Sequence, residues 1–231
     1  MHRKLKSLCF TLFLILTATT ANAGLSDALG QVGTQYADDA ATSAGLPYTP
    51  SEAIQGIKDI LSLEFGSAMT SLGQTGGFSQ NPAVALPLPD SLKGLSNTSG
   101  LLGSLNSAAE KTVPSTDSIF MNAIQQLSIT NASSLLDGGE DAITRFFESS
   151  SRGAIRTLMM PIVSKSVEAA GVDKYLSAMM TASSVAEPEF DPTAYVTDRT
   201  LDGIFHVMAA KEKELRATSG AGTTDLIQKL F

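Results

Sequence analysis

The sequence is poor in the residues that most familiar cofactor and nucleophile sites require. It has no tryptophan, one cysteine and two histidines, and both Cys9 and His2 lie in an N-terminal leader. Behind the leader, His206 is the single histidine and no cysteine remains. These absences exclude cysteine-based zinc sites, thiol redox centres and Cys-His nucleophile pairs.

Several other motifs are also missing. There is no Gly-x-Ser-x-Gly elbow, no Walker loop, and no dinucleotide fingerprint in the context of a strand. No run of about 18 apolar residues follows the leader, so we predict no transmembrane segment. The formal net charge of −7 argues against a nucleic-acid partner. We therefore expect a protein that is not an enzyme and that holds no metal or other cofactor.

The leader has the three parts of a secretory signal peptide. Basic residues (Arg3, Lys4 and Lys6) precede an apolar run at 8–16, and Ala21-Asn22-Ala23 forms a small-x-small cleavage site. We predict cleavage after Ala23 and a periplasmic location. The remaining 208 of 231 residues would carry a formal net charge of −10, since three basic residues and no acidic ones are removed. Without disulfides, such an exported chain must rely on its hydrophobic core.

The clearest helical pattern lies near the C-terminus, at 191–216. Asp191 and Pro192 are typical of an N-cap and a first helical residue. At helical spacing, one face collects the apolar residues Leu201, Ile204, Phe205, Met208 and Leu215. This stretch is predicted to be the central packing helix.

Two features of this helix allow more than one interpretation. Asp198, Asp202 and His206 follow one another at i, i+4 and i+8, which suits either a metal or acid/base row or a solvent-facing polar edge. The solvent-facing interpretation is favoured, because no second histidine or cysteine could complete a site. Glu212 falls inside the apolar stripe, so we expect it to pair with Arg216 or to neutralise another buried cation.

Upstream, a helix and a proline-rich loop stand out. Thr49-Pro50-Ser51-Glu52 fits a capping box, and the following apolar pattern predicts a helix that ends at Gly73. The segment at 76–90 contains three prolines and must run extended over 83–88. It is either a long connection pinned by its leucines or a binding loop. Candidate binding residues are Asn81, Pro82, Leu86, Pro87, Leu88, Pro89, Tyr195, Asp198 and Asp202.

The remaining pattern is helical, with glycine and proline at the breaks. Pro161 is predicted either to kink a helix or to start a second one. No segment shows the turn-separated alternation of a sheet protein. We predict an all-α fold, a compact irregular domain of about eight to ten helices with one extended proline-rich loop. We expect a single domain at 49–231. A flexible or weakly helical segment at 24–48 would join it to the signal peptide.

The chain also resembles a bacterial exported family catalogued as domain of unknown function 4197. The matching stretches run in order through most of the chain: NPAVALPLPDSL at 81–92, LNSAAEK at 105–111, DSIFMNAI at 117–124, LLDGGEDAITRFF at 135–147, PIVSKSVEAAGV at 161–172, YVTDRTLDGIF at 195–205 and TTDLIQKLF at 223–231. The resemblance implies a helical envelope protein without an assigned activity, and it carries over no catalytic residue.

Three functions remain open on the sequence. The leading expectation is an exported, non-enzymatic cell-envelope protein that binds an envelope protein or an apolar ligand. The first alternative is a metal-assisted or carboxylate-dependent hydrolase that uses Asp198, Asp202 and His206. The second is a purely structural envelope component. The sequence does not indicate an oligomeric state.

Overall fold

The computed structural model describes residues 35–43, 45, 47–96, 98–183 and 190–231. The predicted signal peptide at 1–23 lies outside these residues. So does the first part, 24–34, of the segment at 24–48 that was predicted to be flexible or weakly helical. Residues 35–43 are helical. The helices that follow are α1 (Pro50–Leu72), α2 (Thr98–Thr112), α3 (Asp117–Gln126), α4 (Ala132–Leu136), α5 (Ala142–Ala169), α6 (Val172–Ser183), α7 (Pro192–Ala217) and α8 (Asp225–Leu230). The described residues contain no strand, so the predicted all-α fold is confirmed.

Helix α7 lies at the centre of the packing. It contacts α5 and α1 most extensively and also packs on α2. Asp191 caps it by accepting a hydrogen bond from the N–H of Ala194 at 3.0 Å, as expected of an N-cap aspartate. All five residues of the predicted apolar stripe are buried. The sequence therefore identified both the start of this helix and its inward face.

Helix α1 begins at the predicted capping box. The Thr49 hydroxyl accepts from the N–H of Glu52 at 3.2 Å, and the Glu52 carboxylate accepts from the N–H of Thr49 at 2.7 Å. The helix ends at Leu72, directly before Gly73. Its apolar face is buried against α7 and α8.

Four phenylalanines from four helices meet in the core. Phe65 of α1 stacks on Phe120 of α3 with ring centroids 4.4 Å apart. The Phe147 ring of α5 lies edge-on to the Phe120 ring, with ring centroids 6.3 Å apart. The Phe205 ring of α7 is tilted relative to Phe120, with ring centroids 5.9 Å apart. Aromatic contacts of this kind add to the free energy of burial, so this cluster fixes how the four helices meet.

Helix α5 differs from the prediction at Pro161. It continues from Ala142 to Ala169 through the proline, and no second helix starts there. Proline costs about 3 kcal/mol inside a helix because the carbonyl four residues earlier loses its partner. Two conditions offset that cost. Pro161 lies on the exposed face, where water can reach the carbonyl, and Met159 and Val163 on either side are buried in the core.

The proline-rich loop also differs from expectation. Residues 82–84 form a turn, in which the Asn81 side chain accepts from the N–H of Ala83 at 3.1 Å. The stretch that follows without turn or helix therefore covers 85–89 and not the predicted 83–88. At the start of α8, the Thr224 hydroxyl accepts from the N–H of Ile227 at 3.4 Å and caps the helix. Within the described residues, no helix has the length and apolarity needed to cross a membrane.

Candidate functional site

The proline-rich loop at 76–90 faces the core with one side and solvent with the other. Leu86 and Pro89 are buried, whereas Pro82 and Pro87 are exposed. Asn81 and Leu88 are half-buried. Phe78 and Val84 belong to the hydrophobic core together with Leu86. The predicted binding loop thus contributes its inward side chains to the core and leaves its two outer prolines available to a partner.

Two polar side chains of α2 hold this loop in place. One carboxylate oxygen of Glu110 accepts from the N–H groups of Phe78 and Ser79, at 3.2 and 3.0 Å, and from the Ser79 hydroxyl at 3.0 Å. Asn106 accepts from the N–H of Leu86 at 2.9 Å and donates to its carbonyl at 3.2 Å. Because these bonds satisfy backbone groups that the core would otherwise leave unpaired, they fix the loop against α2.

Tyr195 joins the loop from the other side. Its hydroxyl donates to the Pro87 carbonyl at 2.5 Å, and burial raises the pKa of Tyr195. The guanidinium of Arg199 lies 5.5 Å from the Tyr195 ring centroid. Of the candidate binding residues in α7, the structure therefore places Tyr195 directly on the proline-rich loop.

Asp198 and Asp202 instead face α5, where each meets an arginine. Arg156 binds both oxygens of Asp198 at 2.7 and 3.1 Å, and this hydrogen bonding raises the pKa of Arg156. Arg152 binds Asp202 at 2.6 Å, and Arg199 adds a contact to Asp202 at 3.3 Å. We call Arg152, Arg156, Asp198 and Asp202 the ion-pair row. Sequence reasoning missed both arginines of α5, although their i, i+4 spacing matches that of the aspartates.

His206 is exposed at the end of this row. It lines a cleft of about 190 Å³ with the side of the loop, Arg199, Asp202 and Gly203. The loop packs so closely here that a Cβ on Gly203 would lie 2.5 Å from the Phe78 ring. Among the described residues, no group of three His, Cys, Asp or Glu side chains is placed to hold a metal ion.

Glu212 has the predicted partner and a second role. The Arg216 guanidinium donates to it at 3.0 and 2.8 Å. The same carboxylate accepts from the N–H groups of Ile143 and Thr144, at 3.0 and 2.8 Å, so a residue of α7 caps the first turn of α5. Sequence reasoning missed another fully buried carboxylate, Glu64 of α1. Its place between Ile60 and Ala68 at i, i+4 spacing was the available signal.

A larger groove lies elsewhere, between α3 and α5. Its volume is about 790 Å³, and we call it the α3–α5 groove. Apolar walls come from Ile119, Phe146 and Leu158, and Leu158 is 57% exposed. The complete lining is Ser118, Ile119, Asn122, Ala123, Gln126, Leu127, Ser128, Phe146, Ser150, Ser151, Ala154, Ile155 and Leu158. The groove was not predicted from the sequence. An apolar Leu158 outside the buried stripe of α5 was the one signal for it.

Comparison with known proteins identifies the family of the chain. No curated protein and no solved structure matches the chain significantly. The family described as "Protein of unknown function (DUF4197)" matches residues 47–231, which includes α1 to α8, the proline-rich loop and the α3–α5 groove. The chain therefore belongs to this family of proteins of unknown function.

Proposed function

We propose that the protein is a non-enzymatic binding protein that holds an uncharged, mainly apolar ligand in the α3–α5 groove. The observation that carries the proposal is the composition of the lining. None of its thirteen residues is charged, although 17% of the chain is charged. The volume of about 790 Å³ also falls within the range of about 300–1,000 Å³ that is usual for small-molecule sites.

The arrangement of the lining defines the chemistry of the ligand. Phe146, Leu158 and Ile119 offer apolar contact for a hydrocarbon portion. Ser118 and Asn122 offer hydroxyl and amide groups for a polar end. A charged head group would lose solvation without meeting an opposite charge, which is unfavourable. The fitting ligand class is therefore a neutral amphiphile, such as a single acyl chain ending in an alcohol or ester.

Other predicted functions have less support. The proline-rich loop remains a predicted binding surface through Pro82 and Pro87, but its leucines are engaged in the core or half-buried. The hydrolase alternative remains a hypothesis, and the pairing of Asp198 and Asp202 with arginines does not favour it. A purely structural role is also untested. The uncharged groove favours ligand binding over all three.

Export to the cell envelope is part of the proposal and rests on the leader sequence. The basic residues, the apolar run and the Ala21-Asn22-Ala23 site support cleavage after Ala23. Intact-mass measurement on protein from the periplasmic fraction tests this directly. We expect a chain that begins at Gly24, and an uncleaved chain in the cytoplasmic fraction would contradict export.

Binding of the neutral dye Nile red tests the groove. Ala154→Glu places a charge on the groove wall at an exposed position of α5, and Ala210→Glu makes the same change on an exposed position of α7 outside it. We expect Ala154→Glu to weaken dye binding at least about tenfold, a loss of about 1.4 kcal/mol, while Ala210→Glu has no effect. Equal binding by both variants would contradict the proposal.

Competition with the dye tests the ligand class. A neutral monoacylglycerol should displace Nile red at lower concentration than an ionised fatty acid or an alkylammonium of the same chain length. Equal displacement by all three would show that the uncharged lining does not select the ligand.

A further inference from the structure

Two carboxylates meet in the core on either side of one hydroxyl group. Glu64 of α1 and Glu212 of α7 are both fully buried. The Thr144 hydroxyl lies 2.8 Å from one oxygen of Glu212 and 3.2 Å from one oxygen of Glu64. The other oxygen of Glu64 has no hydrogen-bond partner among the described residues. This buried carboxylate cluster has no part in the ligand groove.

The number of available hydrogens decides the protonation of the pair. A threonine hydroxyl has a single hydrogen to donate, and an ionised carboxylate can only accept. The shorter contact gives that hydrogen to Glu212. If Glu64 were also ionised, its oxygen would face the Thr144 oxygen with no hydrogen between them. A protonated Glu64 resolves the conflict, because it donates to Thr144, which in turn donates to Glu212.

The charged groups around the pair favour the same assignment. Arg216 donates to Glu212, and its remaining hydrogen bonds go to the carbonyls of Leu135 and Leu136 in α4. The first turn of α5 gives Glu212 two N–H donors and the positive end of a helix dipole. In the part of the chain that the structure describes, the charged groups acting on Glu64 are Glu212 and Arg216. Burial and then the charge of Glu212 raise the pKa of Glu64 well above its usual range.

We propose that Glu64 is a buried proton site: folding takes up one proton there, and the neutral acid links α1 through Thr144 to the capped first turn of α5. Ionisation of Glu64 would break this link and leave two negatively charged carboxylates against the same Thr144 hydroxyl. The fold therefore contains a pH-sensitive contact that weakens as the pH rises. It is independent of the ligand proposed for the groove.

Linkage gives the sign and size of the effect. In the unfolded chain Glu64 loses its proton near its ordinary pKa of about 4.3, while in the folded chain it keeps the proton to higher pH. Between the two pKa values, the unfolded state binds one proton fewer than the native state. The contribution of Glu64 to the folding equilibrium constant then falls about tenfold for each pH unit.

Glu64→Gln tests the proposal, with Glu168→Gln as the matched control. A glutamine amide can donate to Thr144 as the neutral acid does but cannot ionise, and Glu168 is exposed on α5. Urea unfolding between about pH 5 and pH 8 measures stability for all three proteins. As the pH rises, the folding equilibrium constant of Glu64→Gln should increase about tenfold per pH unit relative to the constants of the native protein and Glu168→Gln. Curves that stay parallel would overturn the proposal.

An infrared spectrum provides a second measurement that does not depend on the stability of a variant. At neutral pH the native protein and Glu168→Gln should show the carbonyl stretch of a protonated carboxylic acid. The band should be missing from Glu64→Gln. If Glu64→Gln does not fold, the native spectrum decides alone, and absence of the band would overturn the assignment.

Discussion

The side chain of Asn106 hydrogen-bonds to both backbone groups of Leu86, as the backbone of a neighbouring β-strand would. Its side-chain oxygen accepts from the N–H of Leu86 at 2.9 Å, and its side-chain nitrogen donates to the carbonyl of Leu86 at 3.2 Å. Both residues are buried. A single amide therefore satisfies both backbone groups of a loop residue that would otherwise enter the core unpaired.

Asn106→Ala should destabilise the fold by about 2–3 kcal/mol, because the N–H and carbonyl of Leu86 would stay buried without partners. Urea unfolding measures the loss, and faster hydrogen exchange at the Leu86 amide would locate it in the loop. Asn122→Ala is the control, since Asn122 is exposed on α3, and it should change stability by less than about 0.5 kcal/mol. Equal effects of the two substitutions would contradict this account of the loop.

Glu212→Gln should cost about 3–5 kcal/mol, because it leaves the mostly buried Arg216 without an opposite charge and turns an amide toward the N–H donors of α5. Thermal or urea unfolding measures the change. Glu214→Gln, two residues along α7, removes an exposed pair with Lys211 and should cost at most about 1 kcal/mol. The proposed cap on α5 would be wrong if the two variants were equally stable.

The contrast between Glu212 and Asn106 indicates how much the sequence could predict. Glu212 occupies an inward position on a strongly periodic helix, so its burial and its i+4 partner Arg216 followed from local spacing. The starts of α1 and α7 were equally predictable. The side chains of Thr49 and Asp191 each accept a hydrogen bond from the N–H three residues later, so the capping pattern is local in the sequence.

Features that depend on distant pairing could not be predicted. Asn106 lies 20 residues from Leu86, and Arg156 lies 42 residues from Asp198, so neither contact leaves a local pattern. The α3–α5 groove arises from how two helices pack, and the sequence showed only Leu158 outside the buried stripe. The continuity of α5 through Pro161 likewise depends on burial around the proline, which outweighs its local cost.

Gly203→Ala should destabilise the protein by about 1–3 kcal/mol, although alanine favours helices over glycine. The added Cβ would lie 2.5 Å from the Phe78 ring, so the loop and α7 must move apart. Gly153→Ala is a matched control in α5, where nothing lies within 4 Å of the added atom, and it should stabilise by about 0.5–1 kcal/mol. Thermal unfolding compares them, and a stabilised Gly203→Ala would refute the close contact.

His206→Ala should change stability by less than about 0.5 kcal/mol, because the imidazole is exposed and the neighbouring aspartates already bind arginines. For the same reason, added Zn²⁺ or Mg²⁺ should leave the unfolding temperature of the native protein unchanged. A metal-dependent rise in that temperature that disappears in His206→Ala would instead support the hydrolase alternative.

Acid should loosen α8 from α1 through Glu52. Its carboxylate accepts from Lys229 at 2.7 Å and from the N–H of Thr49 at 2.7 Å, and these bonds lower the pKa of Glu52 below its usual value. A lowered carboxyl pKa contributes stability that is fully present above the unfolded value and is lost as the pH falls through the folded value. This stability is therefore lost below the ordinary glutamate pKa of about 4.3.

Hydrogen-exchange protection of the α8 amides measures this loosening. Near pH 7, Glu52→Gln should reduce protection relative to the native protein, and the difference should shrink as the pH falls below the ordinary glutamate pKa of about 4.3 and native Glu52 takes up a proton. Lys229→Gln separates the two bonds of Glu52. It should loosen α8 in the same way but leave the first turn of α1 protected, because the capping box with Thr49 remains. Equal protection of α8 in native protein and Glu52→Gln near pH 7 would show that Glu52 does not hold the last helix.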